Sequence, residues 1–363
     1  MAVQNGGGRM RMEKICSECG LPFNIGRTNA WRPNGVIIGK YPPHLRGTIY
    51  DVDELKHIFR VIGDTLGLDI SRLIIEGKRK DAKRFVDAML NHFREVGRGS
   101  LPPRRDLYDL TLNLAGIWGI GVGKVIDYQE GERIVLSFRN AYSIPMIAGD
   151  TAGAFESIEG VRVVPLWEGS EENLTLTMRR GEGEPELEER IVAEIEMGIP
   201  SVDEGDLEFK LCGSCGAPLE LSKTFEWDAE NALITEKLTG KRGVIHNTNG
   251  IVAVVKILVE ELGEDMEQLI VSAAREYSRE VYTEVRNETV LEAELGKFPL
   301  RSWGRPVRLQ IRENRVSLRI DNPYLDQIVA GRVWGLFEAF HETEYKLELD
   351  ASGSGYLEMQ LRR

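Results

Sequence analysis

Leu55, Ile58, Phe59, Ile62 and Leu66 recur every three or four residues, which places them along one face of an α-helix. Ahead of them, Asp51-Val-Asp-Glu54 supplies an acidic cap with a carboxylate three positions on, and Gly67 supplies the stop. A second helix is predicted over residues 70–96, with Leu73, Ile74, Val86, Met89 and Phe93 turned inward, and a third over residues 108–118. The period then shortens to two. Residues 122–128 and 133–138 alternate around Gln129-Glu-Gly131, the pattern of a β-hairpin. One more helix follows over 145–158, then a second hairpin from 161–167 and 173–178, and short strands are expected upstream at 36–39 and 48–50. Helices followed by strand, strand, helix, strand, strand predict an α+β domain with a mostly antiparallel sheet.

The pattern occurs twice. At an offset of 196, Cys16, Cys19, Gly20, Pro22, Trp31, Arg46 and Gly47 meet Cys212, Cys215, Gly216, Pro218, Trp227, Arg242 and Gly243, and the apolar stripe returns as Ile251, Val254, Val255, Leu258 and Leu262. A stripe kept in both copies is core. Further on the offset shortens, so that Asn140, Tyr142, Gly149, Gly153 and Glu156 meet Asn322, Tyr324, Gly331, Gly335 and Glu338. Two tandem, pseudo-symmetric repeats are therefore predicted over 16–180 and 212–363, each a mostly antiparallel sheet packed by helices, with a flexible start at 1–15 and a linker at 181–211.

Composition adds little to this picture except in two places. With 363 residues and 42% hydrophobic composition the chain can bury a sizeable core, and no stretch approaches the roughly 20 apolar residues of a membrane span, so a cytoplasmic location is expected. The net charge of −12 is concentrated: residues 181–206 hold ten acidic residues and one arginine. Such a linker is mostly solvated, with at most a partly helical segment around 188–196. Conversely, residues 72–105 hold ten Lys or Arg against four acids, including Lys78-Arg-Lys80 and Lys83-Arg84. That excess fits a solvated helix face, a dock for the acidic linker or another protein, or a nucleic-acid contact. The overall acidity and the lack of interleaved aromatics count against the last.

All four cysteines lie in two Cys-x-x-Cys-Gly turns, Cys16/Cys19 and Cys212/Cys215. Each turn offers two thiolates, and a closed tetrahedral zinc site needs four. Their equivalent places in a duplicated chain suggest an ancestral dimer whose two turns met at the two-fold axis, leaving one structural zinc that joins the repeats. Another metal or an iron–sulfur cluster, a redox dithiol and plain surface thiols are the alternatives; the redox reading lacks the βαβ context it needs.

The second constellation is Ala148-Gly149-x-x-x-Gly153-x-Phe155-Glu156, echoed as Ala330-Gly331-x-x-x-Gly335-x-Phe337-Glu338. Glycines four apart strip one helix face, so a strand, a helix or a ligand must come close there, close packing being the plain explanation. The two glutamates sit near the same face, as partners for a backbone or arginine or as polar contacts in an apolar pocket. Trp118 and Trp303 also keep their places, as core anchors or pocket walls. Other chemistry is thin. The five histidines share no equivalent position, and Gly119-Ile-Gly121-Val-Gly123-Lys124 lacks the ending of a phosphate loop and reads as a helix end entering a strand.

The hairpin, the Asn140-x-Tyr142 and Asn322-Pro-Tyr324 lead-ins, the Ala-Gly-x-x-x-Gly-x-x-Glu helix and the closing hairpin resemble the 4-vinyl reductase type domain, a predicted hydrocarbon-binding module whose fold is shared with subunits of Golgi transport tethering complexes. The resemblance covers most of each repeat. It implies an α+β domain with an apolar pocket for a hydrophobic small molecule, walled here by Trp118, Gly149, Gly153 and Glu156 and by Trp303, Gly331, Gly335 and Glu338. The closing hairpins, Trp167-Glu-Gly-Ser170 and Asp350-Ala-Ser-Gly353, lack the cysteines many members carry there, which speaks against metal-assisted or reductase chemistry. A sensor, carrier or accessory factor for such a molecule is expected; an enzyme using Glu156 or Glu338 as acid and base, and a regulatory interaction protein, are the other classes.

Overall fold

The computed structural model describes residues 14–97, 99–182, 205–351 and 355–363. The expected flexible start and acidic linker, with its partly helical segment, fall largely outside the described residues. The first half runs α1 (Phe23–Thr28), β1 (Asn29–Trp31), β2 (Ile37–Gly39), β3 (Arg46–Asp51), α2 (Val52–Leu66), α3 (Ser71–Val96), α4 (Arg104–Ile117), β4 (Val122–Gln129), β5 (Arg133–Arg139), α5 (Ile144–Glu159), β6 (Val163–Gly169) and β7 (Asn173–Arg180). The second runs α6 (Leu219–Thr224), β8 (Phe225–Asp228), β9 (Leu233–Glu236), β10 (Arg242–Asn247), α7 (Thr248–Leu262), α8 (Asp265–Val285), α9 (Leu291–Gly296), a 3₁₀ turn (Pro299–Arg301), β11 (Arg305–Arg312), β12 (Arg315–Asp321), α10 (Asp326–His341), β13 (Lys346–Ala351) and β14 (Tyr356–Arg362). The fold is α+β with antiparallel sheets packed by helices, and the element order is the same in both halves.

Local chemistry sets the boundaries. Asp51 caps α2 by accepting from the amides of Asp53 and Glu54, and Gly67 ends it in the left-handed region at φ 63°. The Gly119–Gly123 segment is the helix-to-strand passage expected: α4 ends at Ile117, and Gly119 (φ 79°) and Gly121 (φ 148°) turn the chain into β4.

Each half carries its own four-stranded sheet, β4-β5-β7-β6 in the first and β11-β12-β14-β13 in the second. The short strands form a third sheet that belongs to neither half alone, in the order β1-β2-β3-β10-β9-β8. Its centre is the antiparallel pair β3 and β10, in register at Ile49 opposite Ile245, two equivalent residues, so the pseudo-two-fold axis passes there. Around this sheet the helices cross over: α3 packs on α7 of the other half as well as on α5, and α2 packs on α8.

Two arginines, Arg46 buried and Arg242 half-buried, fasten the crossing. Arg46 reaches from β3 to the carbonyls of Ser302 (2.7 Å), Asn322 (2.6 Å) and Pro323 (3.1 Å), and its equivalent Arg242 reaches from β10 to Gly119 (2.9 Å), Asn140 (2.6 Å) and Ala141 (3.2 Å). Asn140 and Asn322 hold positive φ, 56° and 54°, which turns those carbonyls toward the arginine. The paired asparagines of the sequence are thus clamp points between the halves.

Candidate functional site

The four cysteines converge. Cys16 Sγ lies 3.6 Å from Cys212 Sγ, Cys19 Sγ lies 3.5 Å from Cys215 Sγ, and all four sulfurs fall within 4.8 Å of one another, without a disulfide. Four thiolates bound at about 2.3 Å to one tetrahedral ion would stand roughly 3.8 Å apart, so the donor set and its spacing fit zinc. The amide of Cys19 donates to the Cys16 sulfur and holds that thiol down at about 7, while burial pushes Cys19 and Cys215 up. Glu18 of the first turn caps the second, accepting from Gly213 N, Ser214 N and Ser214 Oγ at 2.8–3.0 Å. Helix α1 closes over the centre at Gly26, where a Cβ would stand 2.3 Å from Ala217 N.

A cavity of about 580 Å³ opens in the first half, between α3, α4, α5 and the central sheet. Val86, Met89 and Phe93 of α3, Leu112 of α4, Trp118 and Phe138 give it apolar walls. One end is polar, where Asp150 of α5 meets His246 and Asn247 of the other half's β10.

Behind that end lies an ionic cluster. Lys78, with no exposed side-chain surface, places Nζ 3.0 Å from Asp150 and 4.0 Å from Asp81. Tyr142 OH donates to Asp150 at 3.0 Å, and His246 Nε2 lies 3.2 Å from the same carboxylate. Lys78 Nζ also stands 3.2 Å from His246 Nε2 and 3.3 Å from Nδ1. Against the cost of burial, Lys78 and His246 hold Asp150 down at about 2, whereas burial raises Asp81.

Among the eight residues predicted to wall a pocket, Trp118 lines this cavity. The glycines close helix contacts instead. A Cβ on Gly149 or Gly153 would meet the backbone of α3 at 2.5 Å (Ile75 O) and 2.3 Å (Arg79 O), and one on Gly331 or Gly335 the backbone of α8 at 2.2 Å (Val271 O and Arg275 O). Glu156 accepts from Val163 N and faces Arg79 at 3.4 Å; Glu338 takes two bonds from Arg275 at 2.8 Å and one from Tyr345 N. Neither glutamate is among the cavity residues.

The second half differs from the expectation of a pocket in each. Its equivalent position holds only about 10 Å³, around Tyr282, Arg301, Trp303 and Arg332. Arg301 pairs with Glu236, Arg332 pairs with Glu54, and the Arg332 guanidinium carbon sits 3.1 Å from the Trp303 ring centroid.

Sequence reasoning missed Lys78, Asp150 and His246. Lys78 sat in a charge run read as a solvated face, and it is instead the residue of that run whose helical position faces α7; Asp150 and His246 have no like residue in the other repeat.

No protein-family model matches the sequence, and no curated protein matches it. Among solved structures, the phenol-responsive sensory domain of the transcription activator PoxR with phenol is similar at 12% identity and TM-score 0.33, covering 39% of this chain and 87% of that one. An H-NOX protein from S. oneidensis in the Fe(II)NO ligation state is similar at 14% identity and TM-score 0.25, covering 32% and 76%. Neither likeness is close enough to say what this chain binds. No described helix is long and apolar enough to cross a membrane.

Proposed function

We propose that this chain binds a small, mostly apolar molecule in the cavity of its first half, as a sensor, carrier or accessory factor, with a structural zinc at Cys16, Cys19, Cys212 and Cys215 joining the halves. The observation that carries the reading is the cavity itself: about 580 Å³, within the roughly 300–1,000 Å³ of small-molecule sites, apolar along its walls and polar at one end. The resemblance to 4-vinyl reductase type domains implies an apolar pocket in each half; of the walls it implies for the first, Trp118 lines this cavity. Zinc is supported by four soft donors at tetrahedral spacing drawn equally from both repeats.

The test uses an uncharged naphthylamine dye that fluoresces in apolar surroundings. The dye binds the wild-type chain, and Val86→Tyr, which gives the first half the residue found at the equivalent Tyr282, abolishes binding while the fold is retained by circular dichroism. Unchanged dye affinity in that variant sinks the reading. Native mass spectra of the same samples give one zinc per chain.

A further inference from the structure

The outer face of the second half's sheet carries a charge pattern that the first half lacks. The register of β11, β12, β14 and β13 sets Arg312 opposite Arg315, Arg315 opposite Arg362, and Arg362 opposite Lys346. One row therefore crosses the whole sheet with a cation on every strand. Val316 and Leu361, the neighbours of Arg315 and Arg362 in sequence, are buried in the core, so by alternation the row faces outward. Arg312, Arg362 and Lys346 are exposed and Arg315 is half-buried. The equivalent row of the first sheet is Gln129, Arg133, Arg179 and Val164. It holds two cations, and Arg133 is paired with Asp127.

Like charges set directly opposite one another destabilise a sheet, and here three such pairs follow in a single row. Little within the chain relieves them. Arg362 pairs with Glu348 at 2.8 Å, whereas Arg312, Arg315 and Lys346 have no ion-pair partner among the described residues, nor has Arg308 two rows away on the same face. Glu313, in the turn between β11 and β12, is exposed and makes no ion pair. Beside the cations runs a neutral row, Gln310, Ser317 and Gln360.

Charge density selects the partner. Strands lie about 4.8 Å apart, so the row spreads its cations over roughly 14 Å. A nucleic-acid strand carries a phosphate about every 3.4 Å of its axis and meets that length with about four. An extended acidic peptide turns a carboxylate to one side only about every 6.7 Å and meets it with about three at most. Three of the four cations are arginines, whose planar fork takes two phosphate oxygens at once. We propose that this face binds a single-stranded nucleic acid, its phosphates along Arg312, Arg315, Arg362 and Lys346 and its base edges toward Gln310, Ser317 and Gln360. Tyr356, on the same face, is covered by the Arg319 guanidinium carbon at 4.3 Å, so the contact is ionic rather than stacked. The chain's net charge of −12 opposes the approach of a polyanion from afar, but salt screens it beyond about 8 Å, while the row acts at contact. This surface is independent of the cavity and goes beyond the reading of the cavity as a ligand site.

The test is fluorescence anisotropy of a labelled short oligothymidylate with the full chain, titrated with potassium chloride at neutral pH. Four phosphate contacts give a slope of about −2.8 for log affinity against log salt, so binding weakens about 50-fold between about 50 and about 200 mM. Arg312→Gln combined with Lys346→Gln, two exposed changes at the ends of the row, leaves two contacts and a slope of about −1.4. Arg179→Gln, on the first sheet, changes neither slope nor affinity. No binding at about 50 mM salt, or a double variant with the slope of the wild type, overturns the proposal. So does polyglutamate, or a phosphatidylserine vesicle, that displaces the oligonucleotide at equal charge. The double variant keeps its affinity for the naphthylamine dye, so failure of this face and failure of the cavity reading are seen separately.

Discussion

Replacing Gly335 by alanine adds one methyl group where α10 meets α8. That carbon would stand 2.2 Å from Arg275 O, 2.7 Å from Arg279 N and 2.9 Å from Ser278 Cβ, whereas ordinary contact begins at 3.4 Å. Two of the three atoms are backbone, which cannot swing aside as a side chain can, so the helices must part by about 1 Å along the interface. Overpacking of this kind costs about 1–3 kcal/mol, and alanine returns up to about 1 kcal/mol through its better helix propensity. With backbone on both sides the cost falls at the upper end, and a net loss of about 2 kcal/mol is expected. In Gly296→Ala, at an exposed helix end with nothing within 4 Å, the change stays within about 0.5 kcal/mol. Urea denaturation of both variants measures the difference. Because Gly335 lies in the half whose cavity is filled, dye binding should be unaffected. A Gly335→Ala chain as stable as wild type would refute the packing argument, and one that folds normally but loses ligand would return the glycines to a binding role.

Three further expectations follow from the clamp, the metal centre and a buried cap. Arg46→Ala leaves the carbonyls of Ser302, Asn322 and Pro323 without their charged donor and should cost about 3 kcal/mol or more, read from the urea midpoint; a loss below about 1 kcal/mol would mean that the halves do not depend on the clamp. On the proposed zinc reading, Cys212→Ser or a strong chelator removes the metal and lowers thermal stability, and an unchanged melting point in metal-free protein would deny the centre a structural role. Burial pushes Asp51 up to about 6 from the ordinary 3.8, so its contribution is complete below the lower value and is lost as pH rises through the higher. Asp51→Asn, which keeps an acceptor for the α2 amides, should therefore gain stability relative to wild type between about pH 4 and about pH 7, by up to roughly 3 kcal/mol. No change in the difference across that window would contradict the assignment.

Much of the local structure is written in the chain. The α2 stripe, the Asp51 cap and the Gly67 stop depend on neighbours in sequence, and the two hairpins of each half announce themselves by alternation around short turns. The central sheet does not. Strands of three to six residues pair across almost two hundred positions, and nothing local to Thr48 names His246 as its partner. The cysteine turns were readable because ligand number and spacing are sequence properties. The glycine pairs disclosed a close approach without disclosing to what. Lys78 was hidden for a different reason: a cation in a basic run normally faces water, and only the packing of α7, where a Cβ on Gly250 would stand 2.4 Å from its ammonium, explains why this one is buried.

Two copies on one chain need not stay alike, and here the halves differ at the cavity position, open in one and filled in the other. A pair of identical sites facing one another across a two-fold axis can load in succession, and the first event can ease or hinder the second. Here the partner of the open cavity is plugged by Arg301 and Arg332, yet it still lends His246 and Asn247 to the open one. On the proposed reading, a single chain of this design fills once. Its occupancy then rises with concentration along a simple hyperbola, graded over about two decades rather than thresholded, and any sharper response must come from joining chains together.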